Sequence, residues 1–293
     1  MLKFGTFTWQ DKERYTEYYR QTPEHYAEYS FFGLWSWLHA YPLEIAYTEN
    51  LCWLKSAGKF PGIFGPSGNW DAVTDWEREL SHFKTGDIIY EVPGGIKEKL
   101  SGDSRFRFTL ERDQSEYVYA VKNLISLKGK AYAHKRNRVR AFLDGYEWDY
   151  YELTPEYFDE VLDFQKRWRL HRDKSVTEEE AESLYDEDIA IRNALDKWNE
   201  FIFSGGIIRV DGRIIAYTIA EELDDKNIDV RFEKAFVEYA GSYQAINYMF
   251  MKNHGYKYEW ANREEDMGEP GLREAKMSYN PSRMLEKYQL EIL

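Results

Sequence analysis

The sequence predicts an α+β fold in two successive units, and three observations predict it. Length comes first: 293 residues make one large or two modest domains at about 100–200 residues each. Composition comes second: 43% hydrophobic and 31% charged residues provide a full core and exclude wholesale disorder. Element order comes third. The second half reads helix, helix, hairpin, strand, helix, strand, helix, strand; the first half reads helices, hairpin, helix, strand, strand, helix. No residue-level repeat accompanies it, so element order alone carries the duplication.

The first 30 residues read as helical, with Asp11 and Thr22–Pro23 as cap signals and Tyr15, Tyr18, Tyr19, Tyr26 and Tyr29 at near-helical spacing. Leu43–Thr48 and Leu51–Lys55 are apolar runs around the turn Glu49–Asn50, which makes a hairpin. Phe60–Asp71 is rich in Gly and Pro and reads as a loop. Trp76–Phe83 is a short helix, Asp87–Val92 a strand, and Ser115–Val121 alternates with Tyr117, Tyr119 and Val121 on one face. The composition then shifts to a basic run, Lys128–Arg140, followed by the acidic, aromatic Glu147–Glu160. A junction near residue 150 therefore divides the chain into 1–150 and 151–293.

Beyond it, Thr154–Pro155 starts a helix, because Thr caps and Pro at the first helical position has no donor to lose. A second helix starts at Thr177, with Glu178–Glu180 at its positive end. Asp211–Gly212 joins Gly206–Val210 to Arg213–Glu221, the strongest short hairpin signal. Ile228, Val230 and Phe232 alternate as a strand, Ser242–His254 is a helix, and Tyr256, Tyr258 and Trp260 alternate again. Pro270–Tyr279 is helical, and Tyr288, Leu290 and Ile292 end the chain as a strand.

A net charge of −13 excludes a generally basic nucleic-acid or membrane-surface protein while leaving room for a local basic site. The single Cys52 makes no intramolecular disulfide, and its apolar setting beside Trp53 marks a buried thiol. The most apolar stretch, Phe31–Tyr47, is interrupted by His39, Pro42 and Glu44 and falls short of the ~20 residues of a membrane span. No signal pattern opens the chain, so a soluble cytoplasmic protein is expected. Six His residues show no paired ligand spacing, and Gly62–Gly68 is neither a P-loop nor a dinucleotide fingerprint.

Chemistry concentrates in Ala261–Tyr279, which begins as a strand ends, where open α/β sheets bind ligands. Arg263 can fork onto a carboxylate or phosphate. Glu264, Glu265 and Asp266 can hold a cationic amine or act as a base, and equally suit a solvated acidic turn. On the preceding strand, alternation sets Glu233 opposite Phe232 and Lys234 on the Phe232 face. A Lys there is either a snorkelling stem or a buried charge facing an acid of the 263–266 turn. In Lys128–Arg140, six Lys and Arg with no acid can grip phosphate or form a solvated basic helix.

Three segments in order, GKAYAHKRNRVRAF (129–142), FEKAFVEYAGSYQAINYMF (232–250) and NREEDMGEPGLREAKMSYNP (262–281), resemble the family related to the C-terminal domain of phosphatidylglycerol lysyltransferase, the DUF2156 group. The resemblance covers roughly residues 105–293. It implies two tandem GNAT-like (N-acyltransferase) domains, each a mixed sheet flanked by helices. It also implies transfer of an aminoacyl group from aminoacyl-tRNA to an amine or hydroxyl of a small-molecule, peptide or lipid acceptor. Under it, Glu233, Lys234, Arg263 and Tyr279 are the expected catalytic residues, with Tyr279 as general acid at the end of a GNAT-like helix. Asn262, Glu264, Glu265, Asp266 and Lys276 are expected to bind substrate, and Lys135, Arg136, Arg138 and Arg140 tRNA phosphates. The stretch matching the acetyl-CoA pyrophosphate loop, Val237–Tyr243, has one Gly and no basic residue, so acetyl-CoA is the less expected donor. The lysyltransferases act with a membrane module, and no such segment lies in this sequence, which leaves the lipid acceptor open. Two other readings stay open: an acyl-CoA-dependent N-acyltransferase, and a non-catalytic ligand-binding protein of the same fold.

Overall fold

A computed structural model describes residues 2–172 and 177–293. The chain forms two compact units, Met1–Glu116 with Glu265–Pro270 and Met284–Leu293, and Tyr117–Glu264 with Gly271–Arg283. The junction expected near residue 150 thus falls inside the second unit, which takes the basic helix with it. Each unit is a mixed sheet flanked by helices, the architecture expected of tandem GNAT-like domains.

In the first unit, β1 (Gly5–Thr6), β2 (Leu43–Tyr47), β3 (Leu51–Ser56), β4 (Gly62–Gly68) and β5 (Ile88–Pro93) lie side by side. β14 (Lys287–Ile292) enters antiparallel between β5 and β6 (Phe106–Leu110). Helices α1 (Lys12–Arg20), α2 (Phe31–Trp35), α3 (Trp76–Leu80) and α4 (Gly94–Leu100) complete it. β4 occupies the segment expected to be a loop. Its pairing with β3 on one side and β5 on the other overrides the local Gly and Pro signals. Tyr15, Tyr19, Tyr26 and Tyr29 are core residues with satisfied hydroxyls: Tyr15 donates to Tyr29 O at 2.8 Å and Tyr19 to Tyr26 O at 2.8 Å. Cys52 is buried, and that burial pushes its thiol up, away from the reactive thiolate.

The second unit holds β7 (Glu116–Ala120), α5 (Val121–Ser126), α6 (Ala133–Gly145), β8 (Trp148–Glu152), α7 (Phe158–Arg172) and α8 (Glu178–Asp196). Then come β9 (Phe203–Val210), β10 (Arg213–Glu222), β11 (Asn227–Ala235), α9 (Ser242–Asn253), β12 (Trp260–Asn262), α10 (Pro270–Met277) and β13 (Arg283–Leu285). The sheet runs β7, β12, β11, β10, β9, β8. Asp211 and Gly212 both take positive φ, 50° and 73°, as the two-residue turn of the β9–β10 hairpin requires. Thr177 and Glu180 close a capping box on α8. β11 and β12 are parallel neighbours, and their pairing covers Asn227↔Trp260 to Asp229↔Asn262. Beyond Asp229 the two segments part, and this splay at the carboxyl ends of parallel strands positions the site.

Candidate functional site

Strand alternation divides β11 into two chemistries. Ile228, Val230 and Phe232 point to one face; Asp229, Arg231 and Glu233 point to the other. Helix α9 covers the charged face, since Asn247 Nδ2 donates to Glu233 Oε2 at 2.9 Å. Helix α7 covers the opposite face. There the Lys234 Nζ lies 4.5 Å from the Trp168 ring centroid and 2.7 Å from Glu187 Oε2. The expected pairing of Lys234 with an acid of the 263–266 turn is therefore corrected: its partner is on α8, on the face away from Glu233.

Arg263 follows the last residue of β12, at the splay. Its Nη2 donates to Glu233 Oε1 at 2.8 Å, and both side chains are largely buried, at 14% and 9% exposure. Its guanidinium carbon lies 4.8 Å from the Tyr279 ring centroid and 5.8 Å from that of Tyr119. Its Nη1 is buried without a hydrogen-bond partner among the described residues. A buried donor left without an acceptor costs about 1–3 kcal/mol. Tyr279 is 5% exposed, and its burial pushes the phenol above its ordinary value, so it keeps its proton at neutral pH. Tyr119 OH donates to the Lys276 carbonyl at 2.9 Å, which ties β7 to the end of α10 and places the Tyr279 ring.

The basic run separates into three roles. Lys135 is 5% exposed on the inner face of α6, with its Nζ 4.1 Å from the Tyr279 ring centroid. Its expected grouping with the surface phosphate ligands is therefore corrected, because the helix turns it inward beside Arg263 and Tyr279. Arg136 folds back onto the carbonyls of Leu127 and Gly129 and holds the turn before α6. Arg138 and Arg140 are exposed, as are Lys128 and Lys130 ahead of the helix.

The acidic turn does not form one cluster. Asn262 is 3% exposed and its Oδ1 accepts the Glu264 N–H at 2.9 Å, while Glu264 takes a positive φ of 57°. Glu264 Oε1 receives Arg231 Nη1 at 2.9 Å. In the first unit, Asp266 is fully buried, pairs with Arg112 at 3.2 Å and accepts the Gly268 N–H at 3.0 Å. Glu265 is half-buried and adds its charge to the surroundings of Lys287. Lys276 is 9% exposed, with its ammonium 5.8 Å from the Tyr117 ring centroid. The fold thus gathers Glu233, Arg263, Tyr279 and Lys135, and commits Asp266 and Lys234 to ion pairs elsewhere.

Two charged groups escaped the sequence reading. Arg231 meets Asp229 at 3.0 Å, Glu221 at 2.7 Å and Glu264 at 2.9 Å, next to the Arg263–Glu233 pair on the same strand face. The signal was present: Asp229–Arg231–Glu233 alternates as regularly as Ile228–Val230–Phe232. In the first unit Lys287, with no exposed surface, pairs with Glu28, with Glu91 at 3.1 Å and with Glu116 at 3.5 Å. No local pattern marks that group, because its members are far apart in sequence.

The start of α9 is where an acetyl-CoA pyrophosphate would need free backbone donors. The Tyr239 N–H goes to Phe236 O, the Ser242 N–H to Tyr239 O at 2.9 Å, and the Ala240 N–H to the Tyr146 hydroxyl at 3.0 Å. Gly241 (φ 88°) faces α6 so closely that a Cβ there would lie 2.3 Å from the Arg138 carbonyl oxygen. Three of the N–H groups at this turn are engaged and the α6 backbone closes the approach at Gly241, so the turn is a poor fit for a pyrophosphate.

A model of the family described as phosphatidylglycerol lysyltransferase, C-terminal, matches residues 19–291, well beyond the part carrying the recognised motifs. A conserved protein of unknown function from Bacteroides thetaiotaomicron is 29% identical, with TM-score 0.86 over 100% of both chains. The C-terminal DUF2156 domain of a lysylphosphatidylglycerol synthetase from Agrobacterium fabrum is 16% identical, with TM-score 0.66 over 97% of this chain and 92% of that one. FemX shares the fold at 10% identity and TM-score 0.64, over 100% and 98% of the two chains. An uncharacterised protein of Mycoplasmoides gallisepticum is 21% identical over 191 residues, 63% of this chain and 58% of that protein's length.

Proposed function

The chain belongs to the phosphatidylglycerol lysyltransferase C-terminal family, and from that premise we propose that it transfers an aminoacyl group from aminoacyl-tRNA to an amine or hydroxyl acceptor. The observation that carries the reading is the unpartnered Nη1 of Arg263, held at the strand splay by Glu233. An aminoacyl ester is already activated; it needs orientation and donors for the oxyanion that develops at its carbonyl. Arg263 Nη1 is a preorganised donor of that kind, on a largely buried side chain. Glu233 fixes the fork, and Asn247 fixes Glu233. Tyr279, fully protonated at neutral pH, donates to the leaving ribose oxygen. The exposed Arg138, Arg140, Lys128 and Lys130 lie on the same unit and meet the terminal phosphates, while the acidic remainder repels the body of the tRNA.

The engaged N–H groups of Tyr239, Ala240 and Ser242 and the closed approach at Gly241 favour aminoacyl-tRNA over acetyl-CoA. The acceptor class is set by the amine or hydroxyl it must present. Phosphatidylglycerol is the acceptor in the family's description, and no described helix is long and apolar enough to cross a membrane. The test is a binding titration with a mixed aminoacyl-tRNA pool, with CoA and acetyl-CoA in parallel, at low and moderate salt. Salt-sensitive binding of charged tRNA without a CoA response is expected. Saturable CoA binding with no tRNA response replaces the reading with acyl-CoA transfer.

A further inference from the structure

We infer that Lys135 is the base of this site: its uncharged amine takes the proton of the acceptor amine or hydroxyl as that group attacks the aminoacyl ester. The inference rests on the transfer reading above and deepens it. The geometry is that of an amine kept for use. Lys135 is 5% exposed, and no hydrogen bond or ion pair among the described residues engages its Nζ, which lies over the Tyr279 ring at 4.1 Å. A lysine kept only for stability would take a carboxylate. The nearest one, Glu233, is already engaged by Arg263 and Asn247 through its two oxygens.

The charged and titratable groups around Lys135 come from every element packed on it. Arg138 lies on its own helix, Glu233 on β11, Arg263 after β12, Glu274 on α10 and Tyr279 behind it. Helix α9 packs Tyr248 against the neighbouring Val139. Burial and the positive charge of Arg263 outweigh the acids and bring the amine down to about 8. About a quarter of the molecules then carry the free amine at pH 7.5, against under about 1% for an ordinary lysine.

The step balances. The acceptor N–H or O–H gives its proton to Lys135 Nζ while its lone pair forms the bond to the ester carbonyl carbon. The carbonyl electrons move onto the oxygen facing Arg263 Nη1. They return as the bond to the ribose oxygen breaks, and that oxygen takes the phenol proton of Tyr279. The Lys135 ammonium then gives its proton to solvent and the Tyr279 phenolate takes one from solvent, which restores both groups.

Two measurements test it. The Lys135 signal in [13Cε]lysine-labelled protein, assigned by its loss in Lys135→Met, should titrate near pH 8. Discharge of a mixed aminoacyl-tRNA pool, with phosphatidylglycerol vesicles and with glycinamide as acceptors, should rise with pH through the same value. Lys135→Met and the permanently charged Lys135→Arg should both lower discharge at least about 100-fold, with tRNA binding unchanged. Titration of Lys135 above pH 10, or discharge by Lys135→Arg with the wild-type pH profile, overturns the base assignment alone. Wild-type protein that discharges neither acceptor while Lys135 titrates near 8 overturns the transfer reading, and the base falls with it.

Discussion

Lys135→Met should stabilise the second unit at neutral pH while disabling the site. The ordinary lysine value is 10.5 and burial brings Lys135 to about 8, which at 1.36 kcal/mol per pH unit is a penalty of about 3 kcal/mol for folding with the charge in place. The contact of the ammonium with the Tyr279 ring returns about 0.5–2 kcal/mol of that. Methionine fills similar space without a charge, so the net gain is about 1–3 kcal/mol at pH 7. The sign follows from which state sheds its proton first. Below about pH 8 both states are protonated and the penalty is whole. Between about 8 and 10.5 the folded amine is neutral while the unfolded one is still charged, so wild-type stability rises with pH and the advantage of the variant shrinks. Urea unfolding of both proteins at pH 7 and pH 10 measures it. A variant less stable than wild type at pH 7, or a difference that does not shrink by pH 10, refutes the claim that Lys135 is strained by burial.

Other perturbations separate the parts of the site. Arg263→Gln should slow aminoacyl discharge about 10²–10³-fold, the usual loss for one oxyanion donor, and an unchanged rate would remove Arg263 from the chemistry. Arg231→Met leaves Glu221, Asp229 and Glu264 facing one another and should destabilise by about 3–5 kcal/mol at pH 7. That loss shrinks as pH falls and the carboxylates protonate; a pH-independent loss by urea unfolding would contradict it. Reversing Arg138 and Arg140 to Glu should weaken tRNA binding and flatten its dependence on salt, without a change in far-ultraviolet circular dichroism. Arg136 is the wrong residue for that experiment, because it holds the turn at Leu127 and Gly129. Gly241→Ala meets both a positive φ and the Arg138 carbonyl and should cost about 2 kcal/mol or more, read as a lower urea midpoint.

Local chemistry was readable along the chain. Asp211–Gly212 makes its hairpin because both residues tolerate positive φ, and Thr177 with Glu180 caps α8 because the pair answers two orphan donors. The alternation at Ile228–Phe232 and the helix from Ser242 were legible for the same reason: each signal acts within a few residues. The two tandem sheet-and-helix units follow from residue patterns together with the family motifs, whereas the pairing of Glu233 with Arg263 came only with the structure.

Burial of charge was not legible, because partners far along the chain decide it. Gly62–Gly68 is a strand only because β3 and β5 offer it backbone partners on both sides. Lys234 chooses Glu187 over the 263–266 turn because α7 and α8 cover its face of β11, while α9 covers the face of Glu233. Lys135 and Arg138 differ by three residues on one helix, yet one turns inward beside Tyr279 and the other meets solvent. A sequence lists which charges a chain carries and where its turns fall. Which charges lose their water depends on the packing of distant segments, and at Lys135 that packing lowers the affinity of the amine for its proton.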